Sequence, residues 1–350
     1  MKSADVRTRL ESFPRARLAV LPSSLEELPR LSSLLGGPRL FIKRDDALIP
    51  SFGGNKVRKL EFMVGDALAK GSDSLVTSGH IQSNHARLTA MVARKLGLDV
   101  ALVLYTEEGD RMEEEKRNGN LLLDLVLGAR VRYVQGYDAI DEGVSKAMLE
   151  LKQGGHRPYL IPTAGYAPLG ALGYVECFLE MDAQAAEMGI KPSHVLIASG
   201  SGGTRAGLVL GNALLAGKTQ IIGISDAPKN QVTRNVLDLA ERTGELLFAN
   251  GRDNQDAVVD PSDVVVYDEV SGKSIASLKD EVSETVRLVA KKEGIFLDPS
   301  YTARAMYGLV QLIRASDFKK DDTVVFLHSG GVPMMFSQRL EANLKLTGTG

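Results

Sequence analysis

Short apolar runs alternate along the chain with segments whose apolar residues recur every three or four positions. The runs SLVTS (74–78), DVALVLY (99–105), ARVRYV (129–134), PYLIP (158–162), HVLIAS (194–199), QIIGIS (220–225), DVVVY (263–267) and TVVFLH (323–328) predict strands. Several are unbroken aliphatic or β-branched stretches, the pattern of a strand covered on both faces. Between them, 56–70 places Val57, Leu60, Val64 and Leu68 on one helical face, which predicts a half-buried helix. Segment 205–216 is dominated by alanine and leucine, and 275–293 sets Ile275, Leu278, Val282, Val286 and Val289 at helical spacing. Such alternation predicts an α/β architecture of mostly parallel twisted sheets flanked by helices. The charge-dense stretch 105–120 is expected to be solvated, and the tail 345–350 frayed.

Composition narrows the function more than the fold. With 350 residues the chain has room for about two domains of ~100–200 residues each. A formal net charge of −2 gives no global basic field to recruit nucleic acid or an anionic membrane. No apolar run approaches the ~20 residues that span a bilayer. The opening MKSADVRTRL lacks the apolar core of a secretory signal, so the expected location is cytoplasmic. Cys177 is the single cysteine, which excludes an intrachain disulfide and a cysteine cluster for zinc. His80 and His85 lack the H-E-x-x-H spacing of a metalloprotease, and no metal is expected.

Four stretches carry candidate chemistry. The first, ASGSGGTRAGL (198–208), lies between a predicted strand and a predicted helix. Gly200, Gly202 and Gly203 let backbone N–H groups converge on an anion, and the helix start adds partial positive charge. Arg205 stands where the dinucleotide fingerprint needs its last glycine, and Leu208 where a Walker loop needs lysine. The loop therefore suits one small phosphate, with an unliganded glycine turn as the alternative. The second stretch, TSGHIQSNHARLTA (77–90), puts Ser83, Asn84 and His85 at a helix start, where Ser and Asn also serve as ordinary caps. Ser83 lacks the G-x-S-x-G elbow of a hydrolase nucleophile.

In the third, Lys56 follows Gly53-Gly54-Asn55 and is placed by a turn. Lys56, Arg58 and Lys59 crowd the first turn of a helix, which the helix dipole opposes unless an anion is near. A lysine held in a cleft can form a Schiff base with an aldehyde cofactor; a solvated cation is the alternative. The fourth is a pair: Tyr301 at a helix start after the Asp298-Pro299 turn, and the loop HSGGVP (328–333) after the last predicted strand.

Taken together, these stretches resemble the fold-type II pyridoxal-phosphate enzymes, and more narrowly the D-cysteine desulfhydrase and 1-aminocyclopropane-1-carboxylate deaminase family. The resemblance spans nearly the whole chain. It is carried by G-G-N-K-x-R-K-L-E at 53–61, I-Q-S-N-H at 81–85, I-P-x-x-G…L-G-x-L-G-Y at 161–174 and D-P-x-Y-T at 298–302. It implies that Lys56 binds pyridoxal 5'-phosphate covalently. It implies that Lys59 and the backbone of Gly200, Ser201, Gly202, Gly203 and Thr204 hold the phosphate. Asn84 is expected to bond the cofactor's 3-oxygen, Ser83 and Asn84 the substrate carboxylate, and His80, His85 and Gly165 to complete the substrate-binding set. Ser83 and Tyr301 are expected at the chemistry. Thr302 and Ser329, expected beside the cofactor, match the desulfhydrase branch; the deaminases typically carry glutamate and leucine there.

The family pattern also implies a homodimer, a discontinuous large domain (1–56 plus 166–350), a small domain (57–165) and a cofactor in the cleft between them. The expected reaction is β-elimination from a small β-substituted amino acid, D-cysteine first. Alternatives are cyclopropane ring-opening deamination, or elimination from cysteate or 3-chloroalanine. Outside catalysis stand a protein that binds pyridoxal phosphate or another small phosphate without turnover, and a phosphosugar-binding module. The chain departs from the family in three places. No tyrosine matches the G-Y-G-x-P segment before 275–293, His80 replaces a small residue, and Arg205 replaces a common His or Gln. The last two are expected to read an anionic or larger substrate side chain.

Overall fold

The alternating runs build two separate sheets, seen in a computed structural model that describes residues 1–50, 52–107, 112–248, 259–270, 272–278 and 280–337. The chain first lays down β1 (Leu25–Glu27) and β2 (Arg39–Lys43). It then forms a complete second sheet from β3 (Ser74–His80), β4 (Asp99–Thr106), β5 (Arg130–Gln135) and β6 (Pro158–Leu160). It returns to the first sheet with β7 (His194–Ala198), β8 (Gln220–Ile224) and β9 (Val264–Tyr267). A two-stranded hairpin, β10 (Glu269–Val270) with β11 (Lys273–Ser274), precedes the closing strand β12 (Thr323–Leu327). The larger sheet runs β1-β2-β12-β7-β8-β9 and the smaller β5-β4-β3-β6. Every pairing in them is parallel except β1 with β2.

All eight expected strands are present, with ends shifted by no more than two residues. The pattern missed β1, β2 and the hairpin. In β2 only Leu40, Phe41 and Ile42 are apolar, and Lys43 reads as a surface residue. Lys43 is in fact fully buried; its Nζ meets the Ser23 carbonyl at 2.7 Å and Gln184 Oε1 at 2.6 Å, and forms an ion pair with Glu180.

Three expectations need correction. The helix over 56–70 exists as Lys56–Ala69, but it is buried nearly all round, and Leu68 is the exposed member of the predicted apolar face. The reason is its position between two cores. Val57, Leu60, Met63, Val64 and Ala67 join the cluster under the smaller sheet, while Phe62 joins that of the larger. Its polar residues are matched internally. Glu61 accepts from the Leu18 and Ala19 N–H groups at 2.7 and 2.8 Å and pairs with Arg15. Close packing on helix Pro168–Glu187 requires Gly173, where a Cβ would lie 2.4 Å from the Arg58 carbonyl oxygen.

The second correction shortens the helix of 275–293 to Asp280–Glu293. Ile275 sits in a 3-10 turn and Leu278 beyond it, yet both pack into the core, which is why their spacing looked helical. The third concerns 105–120, where Glu115 is buried and accepts from Gln82 Nε2 at 2.5 Å, so this run is not wholly solvated. Residues 108–111 of that stretch and the tail 345–350 lie outside the described residues.

Candidate active site

The C-terminal ends of β3, β4, β7 and β8 open onto a cleft of about 490 Å³, where ligands bind in open α/β sheets. Lys56 lines it. The preceding turn has Gly53 at φ 35° and Gly54 at φ 109°, the left-handed region that glycine tolerates. A Cβ at Gly53 would lie 2.3 Å from the Asp46 carbonyl oxygen. The turn is fixed from both sides: Gly54 N–H donates to Asp45 O at 2.7 Å, and Asn55 N–H to Ser329 O at 2.9 Å. Burial depresses the Lys56 pKa to about 8.

The three cations that crowd this helix start go separate ways. Arg58 turns into the large core, where Nε and Nη2 each meet the Asp45 carboxylate at 2.9 Å and Nη1 meets Glu180 at 3.0 Å. Lys59 stands behind the cleft wall with Nζ 3.5 Å from the Ala164 carbonyl. Burial, and then the Lys56 charge, hold its pKa well below the usual lysine value. Among the described residues neither Lys56 nor Lys59 has an acidic partner within 4 Å, in contrast to Lys43 and Arg58.

Facing Lys59 is the glycine loop. Gly200, Ser201, Gly202, Gly203 and Thr204 all line the cleft. Gly202, at φ 86°, caps helix Gly203–Leu214, whose first residues, with N–H groups free of intrahelical partners, line the opening. A Cβ on Gly203 would come 3.0 Å from Lys59 Nζ. Thr204 Oγ1 accepts from Asn55 Nδ2 at 2.9 Å, which ties the loop to the lysine turn.

On the opposite side Ser83 caps helix Asn84–Lys95, its Oγ accepting from the Ala86 N–H at 3.2 Å. Asn84 follows, with Nδ2 3.2 Å from Met334 Sδ. His85 lines the wall, but its Nε2 meets Thr77 Oγ1 at 3.0 Å; burial first, and the charges of Lys56 and Lys59 next, keep the ring neutral. His80, at the end of β3, accepts from the Gln82 N–H at Nδ1 (3.1 Å) and so carries its proton on Nε2 when neutral. Its ring is edge-on to Tyr105, with centroids 5.3 Å apart.

Tyr301 and Ser329 also line the cleft. Tyr301 is 44% exposed to the cleft, yet partial desolvation of its hydroxyl among the cleft walls, and next the Asp298 charge, raise its pKa above the usual tyrosine value. Besides Lys59 behind the wall, two expected site residues do not reach the opening. Thr302 is fully buried with Oγ1 on Asp298 Oδ1 at 2.7 Å, so its hydroxyl is spent on the turn below Tyr301. Gly165 packs behind the wall against Met63 and Lys59. Arg205 is buried beside Gly223, with Nη1 on the Val265 carbonyl at 3.0 Å; its Nε and Nη2 find no hydrogen-bond partner among the described residues. Burial lowers its pKa to about 9. Tyr105, Tyr137, Asp226 and Arg304 also face the cleft, and no motif flagged them. The available signal was position: Tyr105 is the last residue but one of β4, and Asp226 follows β8 by two residues.

This site suits a phosphate-bearing aldehyde. It offers a neutralisable lysine, a second buried lysine with no acid within 4 Å among the described residues, and a glycine loop whose Gly203 lies so near Lys59 that a Cβ there would come 3.0 Å from Nζ. Lys56 would hold the aldehyde carbon and the glycine loop with Lys59 the phosphate.

Comparison with known proteins agrees with this geometry. The model of the family described as "Pyridoxal-phosphate dependent enzyme" matches residues 16–330. The chain is 40% identical over 328 residues to D-cysteine desulfhydrase of Klebsiella pneumoniae (strain 342), covering 94% of this chain and 97% of that protein. It is 36% identical over 333 residues to D-cysteine desulfhydrase of Serratia proteamaculans (strain 568), with 95% and 98% covered. The crystal structure of an ACC deaminase homologue superposes with a TM-score of 0.82 at 36% identity, over 95% of this chain and 96% of that one. Threonine deaminase isoform 2 of Solanum lycopersicum shares the fold, with a TM-score of 0.64 at 19% identity over 99% and 89% of the two chains. The chain thus belongs to the pyridoxal-phosphate dependent enzymes, with the fold-type II arrangement of two parallel sheets around a lysine-bearing cleft.

Proposed function

We propose that the protein eliminates the β-substituent of a small amino acid, and that D-cysteine, converted to pyruvate, sulfide and ammonia, is the first substrate to consider. The observation that carries the reading is the convergence of Lys56, the glycine cradle, the Ser83 cap and Tyr301 on one cleft. The choice of D-cysteine rests on the similarity to proteins of that name.

The bound cofactor supplies an electron sink for a carbanion at the substrate Cα. With its pKa near 8, Lys56 is neutral often enough at physiological pH to take the Cα proton. Ser83 uses an oxygen lone pair to cap Ala86, which leaves its hydroxyl proton for the substrate carboxylate. The start of helix Asn84–Lys95 adds favourable partial charge there. Tyr301, its pKa raised, keeps its proton and can donate a hydrogen bond to the departing sulfur. The C–S bond breaks with both electrons on sulfur; the released enamine takes a proton at its terminal carbon and hydrolyses to the keto acid and ammonia.

A second reading, elimination of an anionic substituent as in cysteate, is favoured by Arg205, which lines the cleft and whose buried Nε and Nη2 have no hydrogen-bond partner among the described residues. Side-by-side release of pyruvate from D-cysteine, L-cysteine and cysteate separates the two. The same reading divides the chain into 1–56 plus 166–350 and 57–165, and makes the working form a cytoplasmic homodimer, which light scattering after gel filtration would check. The founding test is spectroscopic. Protein with pyridoxal phosphate is expected to show a visible band that borohydride abolishes, with the label on Lys56. A protein that stays colourless with the cofactor sinks the proposal.

A further inference from the structure

The amide of Asn84 has a defined direction, set from outside the cleft. Its neighbour is Asn120, fully buried in the first turn of helix Gly119–Val126. Two groups of unambiguous polarity fix the Asn120 amide. Arg87 can only donate, and its Nε meets Asn120 Oδ1 at 3.1 Å. The Gln82 backbone carbonyl can only accept, and it meets Asn120 Nδ2 at 2.9 Å. These independent constraints agree on which end is oxygen. The second hydrogen of Asn120 Nδ2 is then available to Asn84, whose Oδ1 lies 2.9 Å away. Asn84 must present its oxygen to Asn120, and its Nδ2 therefore faces the cleft beside Met334.

Asn120 is itself held in place. Its N–H donates to Gln82 Oε1 at 2.7 Å, and Gln82 Nε2 donates to Glu115. Gly119 precedes it at φ 58°, where a Cβ would come 2.3 Å from Gln82 Oε1. Arg87 is buried, which lowers its pKa to about 10 against the opposing pull of Asp124 in the Asn120 helix, a carboxyl whose own pKa burial raises well above its usual value.

We infer that Asn120 is a positioning residue that locks Asn84 as a hydrogen-bond donor, so that this wall of the cleft accepts an oxyanion and repels a donor. The inference rests on the pyridoxal-phosphate reading for the identity of that oxyanion, either the cofactor's ring oxygen or the substrate carboxylate. Asn120→Asp tests it. The carboxylate keeps the shape and the Arg87 contact but has no hydrogen to give, so Asn84 turns its nitrogen outward and its carbonyl into the cleft.

Pyridoxal phosphate is titrated into wild-type, Asn120→Asp, Asn84→Ala and doubly substituted protein, with the visible band followed against pH. The expected result for Asn120→Asp is roughly 10- to 100-fold weaker cofactor binding, the usual scale for a hydrogen bond to a charged group, and an upward shift of the band's pH midpoint. In the Asn84→Ala background the same substitution is expected to change little. If cofactor affinity and band are unchanged but KM for the amino acid rises, the oxyanion is the substrate carboxylate. Unchanged affinity, band and KM overturn the inference, and so does an equal loss with and without Asn84. Asn84→Asp, which presents a carboxylate oxygen to the cleft without disturbing helix Gly119–Val126, decides the matter should Asn120→Asp fail to fold. It must weaken cofactor or substrate binding as strongly, and wild-type-like binding overturns the inference. A wild-type protein without the visible band defeats the functional reading instead.

Discussion

Lys56 is poorly solvated, and among the described residues no carboxylate lies within 4 Å to hold its proton, so its pKa falls to about 8. Its reactivity toward an amine-selective reagent in cofactor-free protein is expected to rise with a midpoint at about pH 8. An ordinary lysine titrates near ~10.4, and a midpoint there would refute the burial argument. Lys56→Ala is expected to abolish turnover, and the visible band with it, while leaving the circular dichroism unchanged. Gly223→Ala probes the other buried cation. Its Cβ would overlap Arg205 Nη1 at 1.8 Å, and that nitrogen is already pinned to the Val265 carbonyl. The expected outcome is a thermal destabilisation of about 1–3 kcal/mol by overpacking. Much of this site could be read from residue types. A glycine turn, a lysine and a Ser-Asn cap leave local signatures, whereas Asn120 and Arg304 leave none, because their roles exist only once distant elements meet.

At the scale of elements, the lysine helix is anchored by a buried charge cluster that joins it to β2 and helix Pro168–Glu187. Burial alone would raise the Asp45 and Glu180 pKa values. Arg58 outweighs it at both, helped by Tyr174 and Lys43 at Asp45 and by Lys43 at Glu180, and holds both below their usual values. The sign follows: lowered carboxylate pKa values stabilise the fold fully above the unfolded values of ~3.9 and ~4.3, and that contribution is lost as pH falls below them. Arg58→Met leaves two carboxylates buried without their main partner, a loss of about 3–5 kcal/mol in chemical denaturation. The variant is also expected to unfold at a higher pH in acid titration, and an unchanged acid midpoint would remove the cluster's proposed role. Charge burial is also why β2 escaped the hydropathy pattern. A lysine that ends a three-residue apolar run reads as surface until Glu180, 137 residues later, comes to meet it. The same blindness affected Leu68, whose helical spacing was right and whose surroundings no local pattern contains.

For the whole molecule, the cleft lies where the two sheets meet, so a group that bridges lysine turn, glycine loop and Ser83 cap joins parts of the chain far apart in sequence. A cofactor that binds the folded state alone, at a hundredfold excess over its dissociation constant, adds about 2.7 kcal/mol. The melting temperature is expected to rise by several degrees with pyridoxal phosphate and to return when the cofactor is stripped. The α/β class and eight of the strands were legible from alternation, because strands covered on both faces announce themselves as apolar runs. The order of those strands was not, since it depends on which edge a distant run chooses.

That order has a consequence for how the protein is made. β12, the last strand among the described residues, lies between β2 and β7, and the loop after it supplies the Ser329 carbonyl that fixes Asn55 next to Lys56. A ribosome completes the smaller sheet with residue 160 but delivers the middle of the larger one only at 323–327. A nascent chain halted after helix Thr302–Arg314 is therefore expected to protect the smaller sheet from protease, while β2 waits without its neighbour and Lys56 has no fixed address.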